Sequence, residues 1–214
     1  MKKTLPLLAF TIIIGWLPCY SQTKNWNWSL EYSFSNNNPI FQSDTDELEE
    51  QLDKNCSPNF GNALLILGGY KINDKISSHI GVGYRSMSYK NDSISLERVN
   101  LIENTTQGIE IPLNFNYQIS ATGWVIGIGA SYFLGIKDQI SYQLLNNNQR
   151  QSSSEKSNLK GWGYLFNISK EFQPDNNHVL SIGLVGQNYN NLVTSESSQF
   201  GYLNLGLRFG IKFL

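Results

Sequence analysis

Few residues in this chain are equipped for chemistry, and the densest group is acidic. Asp44, Asp46, Glu47, Glu49, Glu50 and Asp53 crowd one short stretch. Clustered carboxylate oxygens suit a hard divalent cation. The same stretch also reads as a solvated helical turn, with Asp44 and Glu47 spaced as a capping box and Leu48 and Leu52 on one face. The ligand spacing of an EF-hand, with glycine at its turn, is absent, which favours the helical turn over the cation loop. The only histidines are His79 and His178. A serine–histidine pair could serve a hydrolase acting on lipid. Of the two cysteines, Cys19 and Cys56, the second reads as an incidental loop residue. No phosphate-binding glycine loop, nucleophile elbow or metal-ligand spacing is present, so neither catalytic nor cofactor residues are expected.

The elements that must position these groups are strands. From Ile109 to Ile119 the odd positions Ile109, Ile111, Leu113, Phe115, Tyr117 and Ile119 are apolar, alternating with Glu110, Pro112, Asn114, Asn116 and Gln118. A strict period of two marks a strand with one apolar and one polar face. Ser120 to Gly123 is a turn. Trp124, Ile126, Ile128, Ala130, Tyr132, Leu134 and Ile136 then line one face of a second strand, opposite Val125, Gly127, Gly129, Ser131, Phe133, Gly135 and Lys137. The large side chains share one face, and the other reads as small and polar. In a soluble eight-stranded barrel the bulky apolar face would fill the crowded interior. Here the small face fits inside and the apolar face must meet lipid. Strands of about 9–11 tilted residues match a bilayer core.

The remaining chain of 214 residues, with net charge −1, repeats this pattern. The charge balance does not point to nucleic acid. Residues 1–21 read as a secretory signal peptide: Lys2 and Lys3, an apolar run from Leu5 to Leu17, and small residues at Cys19 and Ser21. Residues 22–214 form one barrel domain. Strands are expected at 26–35, 62–72, 76–89, 109–119, 124–137, 161–172, 179–188 and 200–213. The faces of the second cannot be separated, because Leu64, Leu65, Ile66 and Leu67 run together. The connections alternate long and short, with long loops at 36–61, 90–108, 138–160 and 189–199. Outer-membrane barrels pair long extracellular loops with short periplasmic turns, so both termini are expected in the periplasm. Aromatic belts follow, low at Trp26, Tyr117, Trp124, Phe172 and Phe213, high at Phe34, Tyr132, Trp162 and Tyr164. Both histidines then fall at the periplasmic end, the wrong end for a hydrolase of outer-leaflet lipid.

The segment Ile109-Glu110-Ile111-Pro112-Leu113 resembles the "EIPL" strand of PorT-like outer-membrane β-barrel proteins. Gly206-Leu207-Arg208-Phe209, with Phe213 near the end, resembles that family's closing strand. The likeness spans nearly all of residues 22–214 and implies an outer-membrane barrel. The namesake's part in protein secretion belongs to one branch and is not carried over. Pro112, which lacks a ladder donor inside a long strand, is expected to mark a bulge.

Strand parity turns Glu31, Arg85, Glu110, Lys137, Glu171, Arg208 and Lys212 inward. Counting from strand ends sets Arg208 level with Glu31, Arg85 and Lys137 near Glu110, and Lys212 near Glu171. The lumen is therefore expected to be closed and braced by opposite charges. Gly81, Gly83, Gly127, Gly129 and Gly135 are expected to make room for bulky inward neighbours. The leading functional expectation is a structural, binding or adhesion role carried by the outer loops of a monomer whose partners are the bilayer and outer-leaflet lipid. Rival readings are an accessory of a secretion or envelope complex with protein partners there, a soluble lipid-carrier barrel, and a lipid hydrolase.

Overall fold

The computed structural model describes residues 25–42, 56–91, 99–119, 122–144, 150–193 and 199–214. The signal-peptide expectation and the acidic stretch from Asp44 to Asp53 lie outside them. The elements are β1 (Trp26–Gln42), β2 (Cys56–Lys71), β3 (Ile76–Asn91), β4 (Val99–Ile119), β5 (Trp124–Leu144), β6 (Arg150–Lys156), β7 (Lys160–Phe172), β8 (His178–Val193) and β9 (Gln199–Phe213). All pairings are antiparallel, and β1 pairs with β9 to close the sheet on itself. Both β6 and β7 pair with β5. The Gly135 N–H to Leu159 carbonyl bond (2.7 Å) and the Ser157 N–H to Ile136 carbonyl bond (3.1 Å) carry the ladder across the break between them. They are one stave kinked at Ser157–Leu159, so the architecture is a closed up-and-down barrel of eight antiparallel staves.

The strands outrun the lengths expected from hydrophobic alternation. β4 and β5 have 21 residues each, about twice what crosses a bilayer core. Much of 36–61, 90–108, 138–160 and 189–199 is therefore ladder rather than loop. In those stretches apolar and polar residues no longer alternate regularly, so period-two contrast disappears while the backbone hydrogen bonds continue.

Pro112 is not at a bulge. It pairs with Ser131 in unbroken register on the β5 side. On the β3 side the ladder omits Gly81 and Val82 but resumes in the same register, from Ile80↔Leu113 to Gly83↔Glu110. The missing donor is absorbed as lost pairs, not as an extra residue. The shift in this hairpin lies higher, where Gln107 pairs with Lys137 and Gly108 with Gly135, leaving Ile136 as the extra residue. Further shifts lie between Pro58 and Asn62 on β2 and between Tyr189 and Leu192 on β8.

The outer surface is apolar. Ile111, Leu113, Phe115 and Tyr117 on β4, Ile128 on β5, Leu180, Ile182 and Leu184 on β8, and Leu205, Leu207 and Phe209 on β9 are all exposed. Ile128 and Leu184 are 62% and 58% accessible, far beyond what a water-facing β surface of this size would carry as scattered single residues. Aromatic rings pair at both ends of this belt, Trp26 with Tyr70 and Tyr132 with Trp162, each at 5.1 Å between centroids. The faces of β2 also separate: Ala63, Leu65 and Leu67 point inward, while Leu64 is exposed.

The interior departs from the small, polar face expected for it. Its turn-proximal half is lined by such residues, among them Ser29, His79 and Asn167. The far half holds a cluster of Met87, Phe133, Leu159, Tyr189, Leu192 and Tyr202, all buried. Where an inward side chain is bulky, its neighbour is small. A Cβ on Gly81 would stand 2.6 Å from Leu67 Cδ2, and one on Gly83 2.6 Å from Leu65 Cδ2.

Candidate functional site

Ionised groups that share a barrel interior must find partners, because an unpaired buried charge is costly. The structure brings six of the seven inward charges together as three pairs. At mid-height Arg208 Nη1 stands 3.1 Å from Glu31 Oε2, across the β1–β9 closure. Toward the turns Lys212 Nζ stands 2.6 Å from Glu171 Oε1, and both side chains are partly exposed. Farther up, Arg85 Nε donates to Glu110 Oε2 at 2.6 Å, with the two side chains 2% and 0% accessible.

The last pair sits in a larger network. Gln187 Nε2 donates to Glu110 Oε1 at 2.6 Å and lies 2.5 Å from Ser131 Oγ and 2.6 Å from the Tyr189 hydroxyl. Its two hydrogens serve two of these three acceptors at a time. Ser131 Oγ also bonds the Tyr189 hydroxyl at 3.1 Å. Strands β3, β4, β5 and β8 are thus tied across the lumen through Arg85, Glu110, Ser131, Gln187 and Tyr189. Sequence reasoning missed Gln187 and Tyr189. Their signal was the shared parity with buried Val185; Gln187 lay within the expected strand but carries no charge to draw notice, and Tyr189 lay beyond its expected end at residue 188.

Lys137 does not join Arg85 and Glu110. The extra residue at Ile136 resets the parity of β5, so Asp138 rather than Lys137 takes the inner side, where it accepts a bond from Thr106 Oγ1 at 2.7 Å. Lys137 is opposite Gln107 and Lys156 and has no ion pair among the described residues.

His79 is buried near the turn end, with Nε2 3.0 Å from Ser77 Oγ. A serine–histidine couple needs a third group to orient the imidazole, and Nδ1 has no hydrogen-bond partner among the described residues. His178 lies in the exposed turn before β8, with Nδ1 2.9 Å from Asp175 Oδ2. That contact, joined by the Asn177 backbone N–H, holds the Asp175 carboxyl below the usual carboxylate range. The two histidines do not meet in one site. Among the described residues no three His, Cys, Asp or Glu side chains converge as metal ligands. The cation-loop candidates Asp44, Asp46, Glu47, Glu49 and Glu50 lie outside the described residues.

Around His79 the lumen holds a polar cavity of about 20 Å³, lined by Ser29, Glu31, Asn167, Ser181 and Arg208 among others. It shares Asn116, Glu171 and Lys212 with a wider vestibule of about 270 Å³ at the turn end, which is also lined by Lys71, Asp74, Lys75 and Gln118.

No known family profile matches the chain, and no curated protein matches it. Solved structures similar to it are bacterial surface barrels. Neisserial surface protein A is 17% identical, with 86% of this chain and 95% of that one covered at a TM-score of 0.39. Ail, the attachment invasion locus protein of Yersinia pestis, solved with the heparin analogue sucrose octasulfate, is 11% identical, covering 87% and 99% at 0.41. The outer membrane protease OmpT of Escherichia coli is 9% identical, covering 90% and 97% at 0.43.

Proposed function

We propose that this protein is a small outer-membrane barrel with a closed lumen that holds binding or adhesive strand ends above the membrane. The observation that carries the reading is the continuous exposed apolar belt on a sheet that closes on itself through β1 and β9. Closed barrels and helices are the structures that satisfy every backbone group within hydrocarbon. The apolar belt around Phe115 and Ile128 meets lipid, and the aromatic pairs at its two ends meet the interfaces. The staves then continue past the belt as polar ladders, β1 to Gln42 and β5 with β6 to Leu144 and Arg150. A rigid projecting ladder is a scaffold on which surface segments bind. The short turns and the C-terminus lie on the periplasmic side in this reading. The resemblance of Ile109–Leu113 to PorT-like barrels agrees with an outer-membrane location and assigns no secretion role.

Cell fractionation tests the location. The chain is expected in the outer membrane, released by detergent and retained through high salt and carbonate. Recovery as a soluble monomer would favour a lipid-carrier barrel instead. A pull-down from native membranes tests the role, since a stable co-purifying envelope complex would favour the accessory reading.

A further inference from the structure

The two halves of the lumen differ in what they ask of water. In the far half, most polar groups are bonded to one another, and among the described residues Gln187 Oε1 and Asn188 Oδ1 are left without a partner. Glu110 is held by Arg85 and Gln187, Ser131 by Gln187 and Tyr189, and Thr106 by Asp138. Phe133, Met87, Leu192 and Tyr202 pack over this network and are sealed. In the turn-proximal half, more buried polar atoms lack partners among the described residues: Ser29 Oγ, His79 Nδ1, Asn116 Oδ1, Asn167 Nδ2 and Arg208 Nε. A buried polar group left without a partner carries a desolvation penalty, so five such atoms in one region point to a partner that is not protein. They surround or adjoin the cavity of about 20 Å³, and roughly 10–15 Å³ suffices for one water. That cavity shares lining residues with the 270 Å³ vestibule.

We infer that the lumen is a one-ended hydrated well. Water enters at the turn end, passes the Lys212–Glu171 pair, and reaches His79 and Arg208. There it stops beneath the Arg85–Glu110–Gln187 network and the aromatic plug. The charges around the mouth are nearly balanced, Lys71 with Asp74 and Lys212 with Glu171, so the well suits water and water-sized polar solutes rather than one sign of ion. The inference deepens the closed-lumen reading and rests on it, but not on the membrane location.

Serine-to-cysteine variants measure the depth of water with little change in volume. In a background of Cys19→Ser and Cys56→Ser, S77C and S181C sample the well, and S35C and S131C sample the closed half. The purified, folded chain in detergent micelles is exposed to silver ion, a water-sized thiol probe, and unreacted thiol is counted by mass spectrometry after denaturation. S29C and S88C replace any variant that fails to fold. The well positions should react at least roughly 100-fold faster, because the upper ones must wait for local opening. Fast reaction at both levels overturns the well and the closed lumen together. Slow reaction at both overturns the well and leaves the closed lumen standing, whereas a faster upper level overturns both the well and the seal of the far half.

Discussion

Arg85 and Glu110 face each other across β3 and β4 at 2.6 Å, with essentially no solvent on either side chain. They are the most enclosed of the three lumen pairs. Breaking a fully buried pair by removing one partner costs about 3–5 kcal/mol. Arg85→Ala should lose stability on that scale in urea titrations of the refolded barrel, and Arg208→Ala somewhat less, because its pair is 8% and 13% accessible. Lys212→Ala, at the wetter pair, should lose only about 1 kcal/mol or less. Adding Glu110→Ala to Arg85→Ala should restore part of the loss, a non-additivity that a double-mutant cycle reads directly. Strict additivity would show that the two groups do not stabilise each other.

A charge on the outer belt gives a second expectation. Phe115 and Ile128 are directly paired across β4 and β5 and both are exposed. Phe115→Arg or Ile128→Arg should destabilise the barrel in lipid vesicles by about 2–4 kcal/mol, as expected near a bilayer midplane. Ile140 lies on the projecting part of β5, above this belt, and is also exposed. Ile140→Arg should cost about 0–1 kcal/mol, because the penalty falls toward the interface. Equal costs at the two heights would remove the belt from the bilayer.

Orientation follows from protease access. Protease added to intact cells should cut only in segments at the far end, 36–61 or 138–160, and spare the turns at 73–75 and 120–123. Cleavage confined to those turns would invert the orientation.

The turn before β8 should be acid-sensitive. The Asp175 carboxylate accepts the backbone N–H groups of Asn177 and His178, each at 2.7 Å, and contacts the His178 ring. Its folded pKa is depressed, so its contribution is complete above the unfolded value of about 3.9. That contribution is lost as pH falls through the lower folded value. Amide exchange at Asn177 and His178, followed by NMR and corrected for intrinsic rates, should lose protection only below about pH 4. Asp175→Asn should flatten that profile, and an unchanged profile would dismiss the capping role.

The barrel was legible wherever one strand face is apolar and the other polar. Ile109–Ile119 announced both its strand and its faces. Legibility ended where that contrast did. Arg150–Lys156 is a strand with polar residues on both sides, and Asn36–Gln42 joins three asparagines to Pro39, Ile40 and Phe41, so no periodicity marks either. Inside the far half the contrast also fails: Phe133 sits inward between Tyr132 and Leu134, so a run of large residues conceals the plug. Parity counting placed Glu31, Glu171, Arg208 and Lys212 on the inner side, where the structure pairs them. It misplaced Lys137, because a single extra residue at Ile136 puts Asp138 rather than Lys137 on the inner side. The Gln187–Glu110 bond joins residues 77 positions apart, a contact that only the closure of the sheet creates.

The central claim is that the exposed apolar belt is built for lipid. Folding into lipid vesicles, followed by gel mobility in SDS with and without boiling, tests it most directly. The account predicts that the unboiled chain keeps its β-sheet circular dichroism, stays with the vesicles through carbonate washing, and migrates differently from the boiled chain. A chain that folds to the same β-structure in detergent-free buffer and stays monomeric, leaving the vesicles empty, would contradict it.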